Sequence, residues 1–175
     1  MNMKKKTAAV CSALAAGALV LTAPLSASAA VTTSVSVDNS TKTWSVDPVI
    51  ANLAGSTRIP VSGSGFNGFT LPYGNGVYVA FGGENFTSQD AGYYEDAVWA
   101  SPTATSTTET RVLLSGGAFS NAYIDVVQAY DDIDCLVDEN DTVGEQCYIY
   151  TFSGHGAFPD AAGDPNYSEV PVYFE

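Results

Sequence analysis

The amino-acid sequence predicts an all-β fold, a sandwich or barrel of about seven to nine short strands. Three observations favour this fold class. The composition is rich in Thr, Ser, Val, Tyr, Phe and Gly and poor in Leu, Lys and Arg, which favours strands over helices. Glycine and proline recur often, so no long helical segment fits between them. Short runs of alternating polar and apolar residues return at turn spacing, which is typical of sandwiches and barrels.

Five such runs predict the strands of the N-terminal half. The first run alternates at its C-terminal end, and an Asp-Asn-Ser turn separates it from the second. The third leads into a glycine-rich bend, and the fourth is bracketed by glycines. In chain order, these predicted strands are Val31–Val37, Thr43–Val46, Thr57–Ser62, Gly76–Gly82 and Asp96–Ala100.

Four further runs predict the strands of the C-terminal half. Two glycines separate the first pair, and alternating aromatic residues mark the third run. In chain order, these predicted strands are Thr107–Leu114, Ala122–Tyr130, Cys147–Phe152 and Val170–Phe174. The least regular part of the chain is Gly82–Thr108. Connections of that length are typically functional or disordered.

The first 30 residues are predicted to be a secretory signal peptide that is removed. Lys4–Lys6 form its positive region, an apolar stretch runs over Ala8–Leu21, and Ala27–Ala29 is a small-residue cleavage signal. The apolar stretch is short, and rich in Ala and Ser, for a membrane span. We expect a single mature domain over residues 31–175, secreted or held non-covalently at the cell surface, with no transmembrane segment. The alternative is an uncleaved N-terminal anchor.

The charge balance excludes one large class of function. The chain has 6 Lys and Arg against 19 Asp and Glu, a net charge of -13. Three of these bases lie in the leader, so the mature part has 3 bases against 19 acids, a net charge of -16. A nucleic acid would be repelled by this field, which excludes binding by phosphate neutralisation. The same field argues against docking on an anionic membrane surface.

The cysteines predict one disulfide. Cys11 is lost with the leader, which leaves Cys135 and Cys147 as an even pair in an exported protein. A bridge between them closes a short loop and contributes about 2–3 kcal/mol. Two free thiols are the alternative. No further Cys or His stands at zinc-ligand spacing, and we expect neither a metal nor a cofactor.

Three pieces of the sequence together resemble a known family. They are Ile59–Phe66 followed by Gly76–Gly82, the cysteine-flanked loop that opens the strand at Cys147, and the ending Val170–Phe174. They resemble the actinobacterial secreted immunoglobulin-like domains, of which the neocarzinostatin-type apoproteins are the best known. The resemblance implies a seven-stranded immunoglobulin-like Greek-key β-sandwich with a cleft at one end, which holds an enediyne chromophore in the antibiotic members.

Only part of the family pattern carries over by position. The bridge between Cys135 and Cys147 matches, whereas the family's second disulfide has no counterpart and the loop between these cysteines is longer here. No cleft residue transfers one by one. The chain therefore resembles most the family members that are general secreted or surface domains.

Aromatic side chains supply most of the candidate ligand contacts. All 20 aromatic residues follow the leader. Three of them, from Tyr148 to Phe152, share one face of a predicted strand, where they either line an apolar cleft or, as we favour, pack between two sheets. Others lie in or beside the irregular segment, where a ligand contact is expected. The candidate ligand-binding residues are Tyr78, Tyr93, Tyr94, Trp99, Tyr148, Tyr150, Phe152 and His155.

No catalytic residue is predicted. His155, the only histidine, suits a general base, a metal ligand or a haem ligand with a tyrosine partner, but a loop histidine between glycines is favoured. Gly63-Ser64-Gly65 is not a nucleophile elbow. Glycoside hydrolysis needs two acids facing one cleft, and Glu109 and Asp125 are the acids on predicted strands. A small hydrolase and a haem-binding protein remain less favoured alternatives.

The densest charge feature is the acidic segment Asp131–Glu145, with seven carboxylates and no base. A solvated loop pinned by the disulfide is favoured, and a weak calcium site is the alternative. The EF-hand spacing is not met, because the glycine counted from Asp138 falls one place late, at Gly144. From Val112 onward the chain has 12 acids and no Lys or Arg, which favours a cationic partner.

These observations predict a secreted, non-enzymatic binding protein. It would hold an apolar small molecule or an envelope component in an aromatic cleft at one end of the sandwich. The alternative is a structural or adhesive surface domain that contacts other proteins without a ligand.

Overall fold

The computed structural model describes residues 30–66, 76–83, 94–154 and 163–175, and it confirms the all-β fold. This part of the chain contains no helix long and apolar enough to cross a membrane. Seven of its twelve strands have four residues or more. The strands are β1 Val35–Asp38, β2 Thr43–Trp44, β3 Val49–Ala51, β4 Ser56–Ser64, β5 Val77–Gly83, β6 Tyr94–Ser101, β7 Arg111–Leu113, β8 Phe119–Val127, β9 Ala129–Tyr130, β10 Ile133–Asp134, β11 Cys147–Ser153 and β12 Ser168–Phe174.

The strands form two main sheets and a short ribbon. One sheet has the order β2-β1-β4-β8, the other has the order β3-β12-β11-β5-β6-β7, and β9 pairs with β10. The chain visits the second sheet for β3, returns to the first for β4, crosses again for β5 to β7 and returns for β8. It then crosses a last time so that β11 lies between β12 and β5. With β1, β4 and β8 in one sheet and β12, β11, β5 and β6 in the other, this is the arrangement of an immunoglobulin-like Greek-key sandwich.

The main hydrophobic core lies between the two sheets. Because side chains alternate across a strand, every second residue of the long strands points inward. Ile59 and Ile124 from the first sheet pack with Val79, Phe81 and Ile149 from the second, and all five are fully buried. This packing is the usual way in which a sandwich buries one face of each sheet.

The strand bounds differ from the sequence prediction in the N-terminal half. Strand β3 was not predicted, because three residues after a proline show no readable alternation; it forms by pairing in parallel with β12. Strand β6 begins at Tyr94, two residues earlier than predicted, so ten residues of the segment Gly82–Thr108 lie in strands, two at the end of β5 and eight in β6. Pairing with neighbouring strands determines that β3 forms and where β6 begins, since β propensity depends on context.

The C-terminal half shows two further differences. The run Thr107–Leu114 forms a strand only over β7, which pairs in parallel with β6. The run Ala122–Tyr130 starts earlier, at Phe119, and is interrupted at Gln128 between β8 and β9. The interruption arises because the Gln128 carbonyl accepts a hydrogen bond from the Cys135 amide at 2.8 Å, which turns the chain towards the disulfide.

The predicted disulfide is confirmed. Cys135 and Cys147 are bonded, and the bridge ties the segment after β10 to the first residue of β11. In the acidic segment between them, Asp138 accepts a hydrogen bond from the Asn140 amide at 2.6 Å, and Asp141 accepts one from the Val143 amide at 3.0 Å. These are Asx turns, in which a carboxylate satisfies the backbone of its own loop.

Candidate functional site

The six-stranded sheet carries a second cluster of side chains on the face turned away from the main core. Along β11, Cys147 and Ile149 point to the main core. The alternate residues Tyr148, Tyr150 and Phe152 therefore point outward. The favoured expectation that Tyr148, Tyr150 and Phe152 pack between the sheets is therefore wrong. We call this side the outer aromatic face and define it by Tyr78, Ala80, Tyr94, Ala97, Trp99, Tyr148, Tyr150, Phe152 and Tyr167.

Strand register assembles the first group of rings on this face. Tyr78 of β5 lies opposite Phe152 on one neighbouring strand and opposite Trp99 on the other. The Tyr78 ring centroid is 5.4 Å from that of Phe152 and 6.4 Å from that of Trp99, with both pairs stacked. Tyr94 adds a tilted contact to Phe152 at 6.5 Å. These spacings are those of favourable aromatic pairs.

A second group of rings lies further along the same face. The Tyr150 ring is 5.5 Å from Tyr148 and 6.0 Å from Tyr167. Ala80 lies opposite Tyr150 and between the two groups, and its small side chain is fully buried beneath the rings. Tyr150 and Phe152 are also buried, whereas the other five rings of the face are partly exposed. The face thus has a buried floor and an accessible aromatic upper layer.

Gly76 allows Trp99 to lie against the backbone at one end of the face. A Cβ atom on Gly76 would stand 2.6 Å from the Trp99 Nε1 and 2.2 Å from the Ala100 carbonyl oxygen, and φ at Gly76 is +138°. Gly154 donates its amide hydrogen to the Gly76 carbonyl at 2.9 Å. A Cβ on Gly154 would lie 3.5 Å from the same indole nitrogen. Position 76 needs glycine because a Cβ atom would be too close to Trp99 and Ala100, and because its φ is positive.

Gly83, at the end of β5, receives a tyrosine from each side of the sheet. Its amide donates to the Tyr130 hydroxyl at 2.8 Å on the main-core side. Its carbonyl accepts from the Tyr150 hydroxyl at 2.5 Å on the outer aromatic face. Burial raises the pKa of Tyr130 to about 12, and burial also raises the pKa of Tyr150. Both phenols are therefore held neutral at ordinary pH.

A buried polar network holds the segment that carries Tyr167. The Asp164 carboxylate accepts hydrogen bonds from the Ser153 amide at 2.6 Å, the Ser153 hydroxyl at 2.7 Å and the Asn166 amide at 2.8 Å. The Thr151 hydroxyl donates to the Asn166 carbonyl at 2.9 Å. Because these groups are buried and bonded, they fix the backbone on both sides of Tyr167.

Lys42 closes this network from the hairpin between β1 and β2. Its ammonium donates to the Asn39 side-chain oxygen at 2.9 Å and to the carbonyls of Pro165 and Tyr167 at 2.5 and 2.7 Å. Partial burial lowers the pKa of Lys42, and the charge of Asp164 acts in the opposite direction. The Tyr167 hydroxyl donates to Glu169, and burial raises its pKa.

The structure brings together six of the eight predicted ligand-binding residues. Tyr78, Tyr94, Trp99, Tyr148, Tyr150 and Phe152 all lie on the outer aromatic face, along a sheet and not among loops at an end of the sandwich. Tyr93 and His155 lie outside the described residues. Sequence reasoning missed Tyr167, which follows a loop and lies outside any alternating run.

Sequence reasoning also missed Arg111. This residue is one of three bases after residue 30, and that scarcity was the one available signal. Arg111 lies opposite Trp99 in the parallel pairing of β6 and β7, and its guanidinium carbon is 4.5 Å from the indole centroid. That distance is within the range of a cation–π contact.

The acids considered for hydrolysis form a surface ion bridge. Arg58 lies 3.3 Å from Asp125 and 3.9 Å from Glu109, and the Glu109 side chain is 88% exposed. Such exposed pairs contribute about 0–1 kcal/mol to stability. In the described part of the chain, no three His, Cys, Asp or Glu side chains converge on a position that would hold a metal ion.

The outer aromatic face offers aromatic contact surface. It presents aromatic rings and phenol hydroxyls, and the Arg111 guanidinium lies beside it over Trp99. Flat rings that are partly exposed stack on flat apolar ligands. Comparison with protein-family models, curated proteins and solved structures found no match for this chain.

Proposed function

We propose that the protein is a secreted, non-enzymatic binding protein that holds an apolar small molecule or an apolar part of an envelope component on its outer aromatic face. One observation carries the proposal: a cluster of seven aromatic rings lies outside the main core, and five of these rings are partly exposed. A sandwich needs an apolar layer between its sheets, but it does not need aromatic residues on an outer face. A ligand is the use of this face that the geometry favours.

The polar anchoring of the face supports the same proposal. Asp164, Asn166 and Lys42 hold the segment beside Tyr167, and Gly83 holds the Tyr150 hydroxyl. Rings that are fixed before a ligand arrives lose less conformational entropy on binding. The predicted leader and the resemblance to actinobacterial secreted immunoglobulin-like domains support export of the protein.

The test uses the neutral probe N-phenyl-1-naphthylamine. A Trp44→Phe background leaves Trp99 as the single tryptophan, and probe binding should quench its emission by energy transfer. Substitution Tyr78→Ala should weaken the affinity by about ten-fold, because it removes the ring between Trp99 and Phe152. Far-UV circular dichroism establishes that the variant is folded.

The matched control is Tyr123→Ala. Tyr123 is an aromatic residue on β8 of the other sheet and is 40% exposed. Its removal should leave the probe affinity unchanged. Absence of probe binding, or equal weakening by the two alanine variants, would overturn the proposal.

A second function, protein contact without a small ligand, is favoured by a groove beside β3 and β12. The groove has a volume of about 260 Å³, an apolar floor and an acidic rim. This chemistry fits an extended cationic segment of a partner protein. The residues that line the groove are Pro48, Ile50, Val137, Asp138, Glu139, Tyr173 and Glu175.

A further inference from the structure

We propose that the ligand of the outer aromatic face is a planar aromatic molecule with an anionic group, and that Arg111 pairs with that group. This inference rests on the proposed function, since it names the ligand class for the same face. The evidence for this inference is the position of the Arg111 guanidinium and its contact with Trp99.

Arg111 stands at the end of a row of stacked rings. Its guanidinium covers the Trp99 indole at 4.5 Å, and the row continues from Trp99 to Tyr78 and Phe152. A guanidinium that stacks on a ring keeps its N–H donors in its own plane, directed away from the ring. An anionic group of a ligand bound on this row would therefore lie within reach of those donors.

The other two bases beyond the leader are already paired. Lys42 donates to one side-chain oxygen and two carbonyls, and Arg58 pairs with Asp125 and Glu109 while lying 5.2 Å over the Tyr123 ring. Arg111 is exposed, and no carboxylate among the described residues lies within 4.0 Å of it. Its donors are thus available to an anion.

The charge pattern of the face agrees with an oriented ligand. Glu145 lies beside Gly83, and Glu169 accepts from the Tyr167 hydroxyl, so these carboxylates stand away from the Arg111 end. The net negative charge of the molecule repels an anionic ligand at long range, but salt at physiological concentration screens this repulsion beyond about 8 Å. A charge-assisted contact at hydrogen-bond distance is affected much less by that screening.

The experiment compares two probes that share one ring system. N-phenyl-1-naphthylamine is neutral, and 8-anilino-1-naphthalenesulfonate carries a sulfonate on the same skeleton. At physiological salt we expect the sulfonate to bind about five-fold more tightly. Arg111→Gln should abolish this preference while leaving the affinity for the neutral probe within about two-fold. Arg58→Gln removes a base of equal charge that already has partners, and it should preserve the preference.

The outcomes separate the two proposals. If the neutral probe binds in a Tyr78-dependent manner but the sulfonate binds no more tightly, the inference about Arg111 fails and the proposed function stands. If Arg111→Gln weakens both probes equally, Arg111 only supports Trp99 and the inference also fails. If neither probe binds, the proposed function fails and the inference falls with it.

Discussion

At the scale of single residues, the tyrosines around Gly83 show how burial fixes an ionisation state. The Tyr130 hydroxyl accepts a hydrogen bond from the Gly83 amide and the Tyr150 hydroxyl donates one to the Gly83 carbonyl, so tyrosines from both faces of the sheet meet at one residue. An ionised Tyr150 would have no proton to donate to the carbonyl. Burial favours the neutral form of both phenols in the folded protein, whereas the hydrogen bond from the Gly83 amide acts in the opposite direction on the pKa of Tyr130.

This arrangement predicts a loss of stability at alkaline pH. The pKa of Tyr130 is raised from 10 to about 12, so the unfolded chain releases this proton first. Its contribution is complete below pH 10 and is lost as the pH rises to about 12, by roughly 2–3 kcal/mol. Tyrosinate absorbance and the free energy of unfolding in urea, measured over this range, should show late ionisation coupled to destabilisation.

Phenylalanine variants assign the effect. Tyr130→Phe should remove part of the pH dependence above pH 10, although it also lowers stability at neutral pH by leaving the Gly83 amide without its acceptor. Tyr123→Phe, at an exposed ring, should leave the pH dependence unchanged. Ionisation of all ten tyrosines near pH 10 with no change in stability would contradict the prediction.

At the scale of elements, the disulfide joins the segment that follows β10 to the first residue of β11. Replacement of both Cys135 and Cys147 by alanine should lower the free energy of unfolding by about 3 kcal/mol, because the unfolded chain regains the freedom of a short loop. Urea denaturation followed by circular dichroism measures the change. Treatment of the unreduced protein with iodoacetamide should leave the midpoint in place. A variant with an unchanged midpoint would show that the bridge adds nothing.

The sequence predicted elements well where one face alternates, and less well elsewhere. Strands β4, β5, β11 and β12 follow clear runs, whereas β3, β9 and β10 are two or three residues long and exist through pairing. On β11 both faces are apolar, with Ile149 on one side and Tyr150 on the other. The two-residue alternation of a strand then assigns each side chain to one of two faces, but it does not show which face packs against the main core.

The candidate site shows the same division between local pattern and tertiary pairing. Six of its aromatic residues were identified from composition and position in the chain. The contact between Arg111 and Trp99 depends on parallel pairing of β6 with β7, and Tyr167 depends on a polar network reaching back to Lys42. Long-range pairing of this kind leaves no periodic signal in one sequence.

At the scale of the whole molecule, the charge distribution opposes folding. From residue 31 onward the chain has 19 acids and 3 bases, and compaction brings like charges together. We expect the melting temperature to rise by a few degrees when sodium chloride is raised from about 0.02 M to about 0.3 M, because the Debye length falls. Scanning calorimetry measures the shift.

A charge variant provides the control for this effect. Asp131 and Asp132 are exposed and belong to the acidic segment. The double substitution Asp131→Asn and Asp132→Asn should reduce the salt dependence, since it removes two like charges without touching the core. A melting temperature that falls, or stays constant, as salt is added would contradict this account.

The placement of Lys42, Arg58 and Arg111, the three bases after residue 30, also bears on the resistance of the protein to proteolysis. Proteases of trypsin type cut after lysine or arginine and need a locally unfolded stretch of backbone. Arg58 lies within β4, Arg111 begins β7, and the ammonium of Lys42 is bonded to three oxygens. Every bond such an enzyme would cut after residue 30 therefore lies in or beside paired strands. The protein is built to resist this class of digestion.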